Sequence, residues 1–345
     1  MEKIIVDTGE YLSAILVGAR WEAVQKLLPE NDVVIITDDN VYNIYGSAFP
    51  GFPVFKVRPG EKSKDLKVIE RLTKELLNSG FDRSGFILAI GGGVVCDLAG
   101  FLASVYMRGV KVGYISTTLL SQVDASTGGK TGVNVGKIKN VIGTFRQPEF
   151  VICDTAMLST LTQHEYLSGL SELIKTAIIG NSDLFRILED NFTEVVNRDR
   201  ELLTKLISIA VKFKASVVAK DEKESGLRRI LNFGHTYGHA IELYSGVPHG
   251  FAVAAGMELA TEFSLFKEHI DKTEAARIIE LIKRYNIIPD YKIPHSSVAK
   301  LILHDKKKSG SFINFVFTCG IGKAMTEKVS VKELQKFYKS FISKD

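Results

Sequence analysis

Short apolar runs alternate with amphipathic segments over the first 150 residues of the chain. Runs rich in β-branched residues predict strands at Val33–Thr37, Val54–Val57, Phe86–Ile90 and Val112–Ser116. Leucine and isoleucine recur with helical spacing over Asp65–Leu77, which predicts a helix that Gly80 ends, and a second helix is predicted over Val94–Met107. This alternation is typical of a parallel sheet with helices on both faces, and such sheets bind ligands at the carboxyl ends of their strands.

Helical periodicity dominates the rest of the chain. Helices are predicted at Glu165–Ile179, Arg200–Lys220, Ile230–Tyr244, Phe251–Phe266 and Thr273–Tyr285, and one late strand at Ile313–Phe317. We therefore predict an α/β fold, with a Rossmann-like parallel-sheet domain at residues 1–153 and a mainly α-helical domain at residues 154–345. A cleft between two such domains is a common place for a substrate site.

Composition and charge narrow the class of protein. The 345 residues carry 44 Lys and Arg against 40 Asp and Glu, a net charge of +4, which is too small an excess to predict a nucleic-acid-binding protein. Three distant cysteines, Cys96, Cys153 and Cys319, indicate neither a disulfide framework nor a zinc knuckle. With no signal peptide and no membrane-spanning run in the sequence, we expect a cytoplasmic protein.

The stretch GGGVVCDLAG at residues 91–100 follows a predicted strand and opens a predicted helix. Glycine lets the backbone approach a phosphate, and a helix N-terminus offers unpaired N–H groups to it. The dinucleotide fingerprint is incomplete, because Cys96 takes the position of its last glycine. The stretch therefore predicts either a nucleotide site or a tight strand-to-helix turn without a ligand.

The segment DASTGGKTGVN at residues 124–134 ends like a phosphate-binding P-loop, but Asp124 stands where that motif needs its first glycine. We expect a flexible loop here. Its Lys130, Lys137 and Lys139 predict either an anion-binding site or a solvated basic surface.

Three of the seven histidines, His235, His239 and His249, lie in LNFGHTYGHAIELYSGVPHG at residues 231–250. Thr236 follows the first of them, so the HExxH motif of zinc proteases is absent, but the clustering favours a metal site. Glu172, amid apolar residues of a predicted helix, is the best candidate for a third ligand, or it pairs only with Lys175. Two histidines and one glutamate would leave a coordination position open for substrate.

Together these motifs resemble 3-dehydroquinate synthase, of the sugar-phosphate cyclase group, from about residue 33 to residue 325. The motifs that carry the resemblance are PGEKSK (59–64), GGGVVCDLAGF (91–101), YMRG (106–109), TTLLSQVDASTGGKTGVN (117–134), KNVIGTF (139–145), GLSELIK (169–175), DEKESGLR (221–228), LNFGHTYGHAIE (231–242) and HG (249–250). More distant relatives are the polyol and iron-type alcohol dehydrogenases.

The resemblance implies NAD as a cofactor and a divalent metal, zinc or cobalt, held by Glu172, His235 and His249. The NAD residues it implies are Asp38 or Asp39, Glu61, Lys64, Gly92, Gly93, Asp97, Thr117, Thr118 and Thr160. It places Asp124, Lys130 and Lys139 beside the cofactor as well, and Lys175 in the site.

For the substrate, the resemblance implies a phosphate bound by Lys130, Lys139, Asn140, Asn232 and His239, and a carboxylate bound by Lys214 and Arg228. Lys306 or Lys307 reaches the substrate, and Arg108 reaches the site of a neighbouring subunit, which implies a homodimer. The sequence departs from the family's PLGKN, HGEAV and TLPxRE motifs, with GKIKN at 136–140, HGFAV at 249–253 and TLTQHE at 160–165.

The implied reaction converts 3-deoxy-D-arabino-heptulosonate 7-phosphate to 3-dehydroquinate and phosphate. It runs by transient oxidation through NAD, β-elimination, re-reduction, ring opening and aldol closure, a step in aromatic amino acid biosynthesis. The alternatives are another sugar-phosphate cyclase, a metal- and NAD-dependent polyol dehydrogenase, and a non-enzymatic basic binding module. The last would leave Glu172 and the histidines without a role.

Overall fold

The computed structural model describes residues 1–30, 32–136, 138–289, 294, 297, 300–302, 308–309 and 312–343. The chain divides into two compact units. The first comprises Met1–Thr162 with Leu203–Lys223, and the second comprises Gln163–Leu202 with Glu224–Asp345. This division differs from the boundary that we predicted after residue 153, because a helical segment from the second half of the chain packs in the first unit. Thr204, for example, hydrogen-bonds Thr155 with their hydroxyls 2.9 Å apart.

A sheet of seven strands forms the centre of the first unit, in the order β1-β2-β9-β6-β5-β3-β4. Its strands are β1 (Glu2–Asp7), β2 (Leu12–Val17), β3 (Val33–Asp38), β4 (Val54–Val57), β5 (Phe86–Gly91), β6 (Lys111–Ser116) and β9 (Phe150–Cys153). All neighbours pair in parallel except β1 and β2. The four predicted strands in this half of the chain are confirmed, and β1, β2 and β9 were not predicted.

Helices α1 (Asp39–Tyr45), α2 (Leu66–Asn78) and α3 (Gly93–Val105) also belong to this unit. Strands β3, β5 and β6 are parallel neighbours, so their carboxyl ends lie along one edge of the sheet. The core on one side of the sheet includes the fully buried Ile35, Leu88, Ile115 and Ile152. The polar residues that follow these strands are therefore positioned by strands that pack against a buried core.

The segment that we expected to be a flexible loop forms a β-hairpin instead, with strands β7 (Lys130–Val135) and β8 (Ile138–Phe145). The expectation of a loop was wrong, because the two glycines in the strands serve close backbone pairing. A Cβ on Gly132 would lie 2.7 Å from the carbonyl oxygen of Ile142, and a Cβ on Gly143 would lie 2.3 Å from that of Thr131. The hairpin gives the basic segment a defined shape.

The second unit contains α4 (Gln163–Gly180), α5 (Ser182–Asp190), α6 (Phe192–Val196), α8 (His235–Ser245), α9 (His249–Phe266), α10 (Lys272–Arg284) and α11 (Val331–Ile342). Helix α7 (Arg200–Lys220) begins in this unit and continues in the first. Strands β10 (Lys308–Ser309), β11 (Phe312–Thr318) and β12 (Ala324–Ser330) form an antiparallel sheet, which confirms the late strand. None of the described helices is long and apolar enough to cross a lipid bilayer.

Helix α9 packs closely against both α4 and α8. Glycines make this approach possible: a Cβ on Gly250 would lie 2.0 Å from the carbonyl oxygen of Ser168, and one on Gly256 would lie 2.0 Å from that of Gly234. Gly234 also delays the predicted helix at residues 230–244, because its φ of +78° is left-handed and α8 begins only at His235. The three helices bring Glu172, His235 and His249 together.

Candidate metal centre and cofactor site

Glu172 lies on α4 and is almost fully buried, with 1% of its side chain exposed, as predicted from its apolar neighbours. Its Oε2 atom forms an ion pair with the equally buried Lys175 one turn further along the helix. Its Oε1 atom has no hydrogen-bond donor among the described residues. A buried carboxylate oxygen without a donor is costly in free energy, and a bound cation would remove that cost.

Two histidines face this oxygen. The Nε2 atom of His249, the first residue of α9, lies 3.5 Å from Glu172 Oε1, and that of His235, the first residue of α8, lies 3.9 Å from it. Ligand atoms of the three residues all lie within 4.8 Å of one another. One carboxylate and two imidazoles at this spacing could hold a divalent ion such as zinc.

Burial and neighbouring charges set the protonation of the three groups. Burial alone would raise the pKa of the Glu172 carboxyl, but Lys175 and the two histidines hold that pKa well below its usual value. Burial, together with Lys175, lowers the pKa of His235 well below its usual value. Burial opposes the charged form of His249 too, but its contacts with Glu172 and Glu242 raise its pKa to about 9. Glu172 is therefore ionised and His235 neutral, the forms that a metal requires.

Residues of α8 form a second group around His249. Ligand atoms of His239, Glu242 and His249 also lie within 4.8 Å of one another, and the ring centroids of His239 and His249 are 6.0 Å apart. Sequence reasoning missed Glu242. It lies three residues after His239, on the same helix face, which is the spacing that could have drawn attention to it.

A ring contact joins the beginnings of α4 and α9. The rings of His164 and Phe251 are stacked, with centroids 4.7 Å apart and planes inclined by 26°. These are two of the positions at which the sequence departs from the motifs TLPxRE and HGEAV, so the two departures are neighbours in the structure. The pair lies close to the metal centre, since Phe251 follows His249 by two residues.

In the first unit, α3 begins at Gly93 directly after β5, as the glycine-rich stretch predicts. Gly92 is the N-cap and supplies no side-chain cap. A Cβ on Gly92 would lie 2.8 Å from the γ-methyl of Thr118, so only glycine fits beneath that side chain. The turn thus leaves the first N–H groups of α3 without a capping side chain, an arrangement that suits a phosphate.

Lys64 is the centre of a polar cluster beside this turn. Its Nζ atom lies 2.6 Å from Asp97 Oδ2, 2.5 Å from Asn140 Oδ1 and 4.0 Å from Glu61 Oε1. Asn134, which sequence reasoning missed, donates to Glu61 at 2.8 Å and accepts from the backbone N–H of Asn140, also at 2.8 Å. Asn134 is the last residue of the motif TTLLSQVDASTGGKTGVN, and that position is the sequence feature that could have identified it as a site residue. The structure brings four predicted site residues together here.

Asp124 and Lys214 form an ion pair, and the Lys214 ammonium also donates to the backbone carbonyl of Asp124 at 2.6 Å. Lys214 is nearly buried. Lys130 and Lys139, one on each strand of the hairpin, are exposed. Thr117 is buried at the end of β6, and the Thr118 hydroxyl donates to Ser121 at 3.0 Å.

Three further predicted residues lie at or near α1, which follows the carboxyl end of β3 next to that of β5. Asp38 caps α1 by accepting from the N–H of Val41 at 3.0 Å, and Asp39 lies 3.7 Å from Lys56. Thr160 hydrogen-bonds the hydroxyl of Tyr45 at 2.8 Å.

In the second unit, Arg228 is buried within the 3-10 turn Leu227–Asn232, and the Asn232 amide donates to Glu224. Arg108, in the first unit, is exposed and has a φ of +69°. Lys306 and Lys307 lie outside the described residues.

The fold is that of the sugar-phosphate cyclases. A crystal structure of 2-deoxy-scyllo-inosose synthase, complexed with carbaglucose-6-phosphate, NAD+ and Co2+, matches with a TM-score of 0.88 at 24% identity, over 98% of this chain and 100% of that one. The 2-epi-5-epi-valiolone synthase of Streptomyces hygroscopicus subsp. jinggangensis, with NAD+ and Zn2+ bound, matches with a TM-score of 0.87 at 24% identity, over 96% and 97% of the two chains.

Sequence comparison gives the particular family. The family model for the 3-dehydroquinate synthase N-terminal region matches residues 54–168, and that for its C-terminal region matches residues 169–308. The 3-dehydroquinate synthase of Thermoanaerobacter sp. (strain X514) is 42% identical over 330 residues, which cover 92% of this chain and 93% of that protein. The chain belongs to the 3-dehydroquinate synthase family, as its motifs predict.

Proposed function

We propose that the protein converts 3-deoxy-D-arabino-heptulosonate 7-phosphate to 3-dehydroquinate and phosphate, with NAD and a divalent metal as cofactors. The observation that carries the proposal is the convergence of Glu172, His235 and His249, whose ligand atoms lie within 4.8 Å of one another. Membership in the family supports the substrate, and the two cyclase structures with NAD+ and Co2+ or Zn2+ support the cofactors.

The residues of each unit fit the cofactor that we assign to it. Glu172 supplies a buried oxygen to which no other described residue donates, and His235 and His249 each direct Nε2 towards it, which suits zinc or cobalt. In the first unit, the uncapped start of α3 suits the NAD pyrophosphate. Lys64, Asp97 and Glu61 form the polar cluster beside it.

When bound, the metal lowers the pKa of a substrate hydroxyl and NAD takes up a hydride and later returns it. The residues of the chain bind and orient the substrate. We assign the phosphate to Lys130, Lys139, Asn140, Asn232 and His239, and the carboxylate to Lys214 and Arg228.

Fixed cations at both ends of the substrate hold the reacting carbons in one geometry and stabilise the phosphate as it leaves. The substrate phosphate itself takes the proton in the elimination, as the resemblance implies, so the chain needs no separate base for that step. Lys175, beside Glu172, keeps that carboxylate ionised.

One experiment tests the proposal directly. Protein, NAD, zinc and the heptulosonate phosphate are mixed, and released phosphate and the absorbance of NADH are followed together. We expect phosphate to accumulate with no net NADH, because the hydride returns within each turnover. Accumulation of NADH with a simple polyol, without phosphate release, would instead identify a polyol dehydrogenase. Turnover of a sugar phosphate without a carboxylate would identify another cyclase.

We further propose that the protein is a homodimer in the cytoplasm and that Arg108 completes the neighbouring site. Strand β8 is exposed along most of its length, and its apolar residues Ile138, Val141, Ile142 and Phe145 are exposed. The hairpin is joined to the end of α3 by a hydrogen bond from Thr144 to Ser104, with their hydroxyls 2.9 Å apart. Exposed apolar residues along one strand support burial of that strand against a second copy.

The dimer is tested by light scattering of the protein and of its Val141→Asp variant. We expect the wild-type protein to have the mass of a dimer and the variant to shift towards the monomer, because an unpaired carboxylate is costly in an apolar interface. Asp7→Ala, on the edge strand β1 of the seven-stranded sheet and outside the hairpin, serves as the control. A monomeric wild-type protein would contradict this proposal and leave the reaction itself untouched.

A further inference from the structure

The two ring nitrogens of His249 face two different carboxylates. Nε2 lies 3.5 Å from Glu172 Oε1, whereas Nδ1 lies 3.2 Å from Glu242 Oε2. Glu242 belongs to α8 and is poorly accessible to solvent, with 11% of its side chain exposed. The imidazole is therefore held between the carboxylate of the metal centre and a carboxylate outside it.

The chemistry of Glu242 fixes which nitrogen of His249 carries hydrogen. An ionised carboxylate only accepts hydrogen bonds, so the contact requires Nδ1–H to donate to Glu242. In the neutral ring the lone pair is then on Nε2, the nitrogen that faces Glu172. Once Nε2 has released its proton, an imidazole in this tautomer binds a cation without turning its ring.

His235 shows the same arrangement with a different acceptor. Its Nδ1 atom lies 3.1 Å from the carbonyl oxygen of Phe233, which also only accepts, so its lone pair is on Nε2 as well. The two rings thus present the same nitrogen to the same oxygen. The acceptor is a backbone carbonyl for His235 and a side-chain carboxylate for His249. The acceptor of His249 can therefore be removed by mutation.

We propose that Glu242 is a positioning residue of the metal centre, which orients the ring of His249 and fixes its tautomer so that Nε2 binds the ion. A carboxylate behind a metal-bound imidazole also increases the basicity of that ligand. The inference rests on the proposed metal centre and adds a fourth residue to it. Residues of this kind typically change metal affinity about 10- to 100-fold when they are removed.

The test compares zinc affinity, measured by competition with a chromogenic chelator, among four proteins. Glu242→Ala should weaken binding about 10- to 100-fold. Glu242→Gln should weaken it less, since the amide oxygen still accepts from Nδ1–H but lacks the charge. Glu258→Ala is the matched control: Glu258 lies on α9 with 12% of its side chain exposed and pairs with Lys283 at 3.0 Å, and its loss should leave zinc affinity unchanged.

The visible spectrum of the cobalt-loaded protein is a second readout. It reports the coordination of the ion, which a general loss of stability does not change. We expect Glu242→Ala to change the position and intensity of the ligand-field bands, because His249 is no longer held in one orientation, and Glu258→Ala to leave the bands unchanged. Circular dichroism confirms that each variant is folded before the comparison is made.

Several outcomes would overturn the inference. Wild-type affinity and spectrum in Glu242→Ala would show that the contact has no effect on the centre. His239, Glu242 and His249 also form a possible ligand group, so a wild-type protein that binds two ions, with Glu242→Ala binding one at unchanged affinity, would make Glu242 a ligand of a second ion. A wild-type protein that binds no zinc or cobalt would overturn the metal centre of the proposed function together with this inference.

Discussion

At the scale of single residues, the proposed metal centre depends on a carboxylate that is buried and yet ionised. Glu172 has almost no contact with water, but Lys175 and two imidazoles surround it. Burying a charge is favourable only when partners compensate the lost hydration. The residues around Glu172 therefore compensate its buried charge, and the removal of any one of them has a specific consequence.

Replacement of Glu172 by Gln should abolish metal binding and activity together. The amide has no charge and is a poor zinc ligand, and it removes the charge that faces the buried Lys175 ammonium. We expect a loss of zinc affinity of more than about 100-fold, greater than for a residue behind a ligand. Zinc content is measured by atomic absorption beside phosphate release. A variant that keeps both would remove Glu172 from the metal ligands.

Replacement of Lys175 by Met should destabilise the metal-free protein more than the zinc-loaded one. Removing one partner of a buried ion pair costs about 3–5 kcal/mol, because the other charge stays buried. A bound divalent ion would take over the role of the ammonium beside Glu172. Urea unfolding with and without zinc measures the difference. An equal loss of unfolding free energy in both conditions would contradict a cation at this position.

At the scale of elements, the sequence predicts the regular parts of the fold better than the breaks between them. The strands around Ile35 and Leu88 were predicted because their apolar runs are continuous, whereas the hairpin containing Gly132 was expected to be a loop because its glycine-rich segment ends like a phosphate-binding loop. Helix α8 was predicted to begin too early, because apolar spacing continues through Gly234, whose left-handed backbone and close contacts with α9 emerge only from the structure.

The candidate site, too, could be predicted only in part from the sequence. Histidine spacing identified His235, His239 and His249 as a group, but it could not choose between them, and the family resemblance supplied the choice of ligands. Helical spacing gives a direction along one element and no distance to another, so Glu242 and its contact with His249 emerge only from the structure.

Gly234→Ala should damage the metal centre as well as stability. The new Cβ would lie 2.6 Å from the Cγ of Met257 and 2.9 Å from the carbonyl oxygen of Val253, in a left-handed conformation. Left-handed strain costs about 1–2 kcal/mol, and overpacking adds about 1–3 kcal/mol. We expect a lower melting temperature and weaker zinc binding, because His235 follows directly.

Gly246→Ala is the control for that variant. Gly246 ends α8 with a φ of +68°, but open space surrounds its Cβ position. The Gly246→Ala variant should lose only about 1–2 kcal/mol of unfolding free energy, which is the cost of left-handed strain, and should keep its zinc affinity. If both variants weaken zinc binding equally, the close approach of α8 and α9 is not what positions His235.

At the scale of the whole molecule, the proposed homodimer makes each active site dependent on two chains. Arg108 is exposed, at the end of α3 and beside the exposed Val105 and Met107. It belongs to a turn with left-handed backbone at residues 107 and 108, directly after α3. An exposed arginine on such a patch is suited to bind an anion that a neighbouring copy presents.

Hybrid dimers test this dependence. Arg108→Ala and His235→Ala are each expected to be inactive when pure, the first for lack of the arginine and the second for lack of a metal ligand. Mixed and reassociated, they should recover up to about a quarter of wild-type activity, because half of the dimers are hybrids and each hybrid has one site with both groups intact. Activity that does not exceed that of the separate variants would show that Arg108 serves its own chain.

The stack of His164 on Phe251 should give the proposed metal centre a different response to ionic strength from that of an ion pair. The family motifs place Arg and Glu at these two positions, and an exposed pair of opposite charges weakens as salt screens it. The rings hold the beginnings of α4 and α9 by packing, which added salt does not screen. Zinc affinity in this chain should therefore change little between low and high ionic strength. In the double variant His164→Arg, Phe251→Glu it should fall as salt is added.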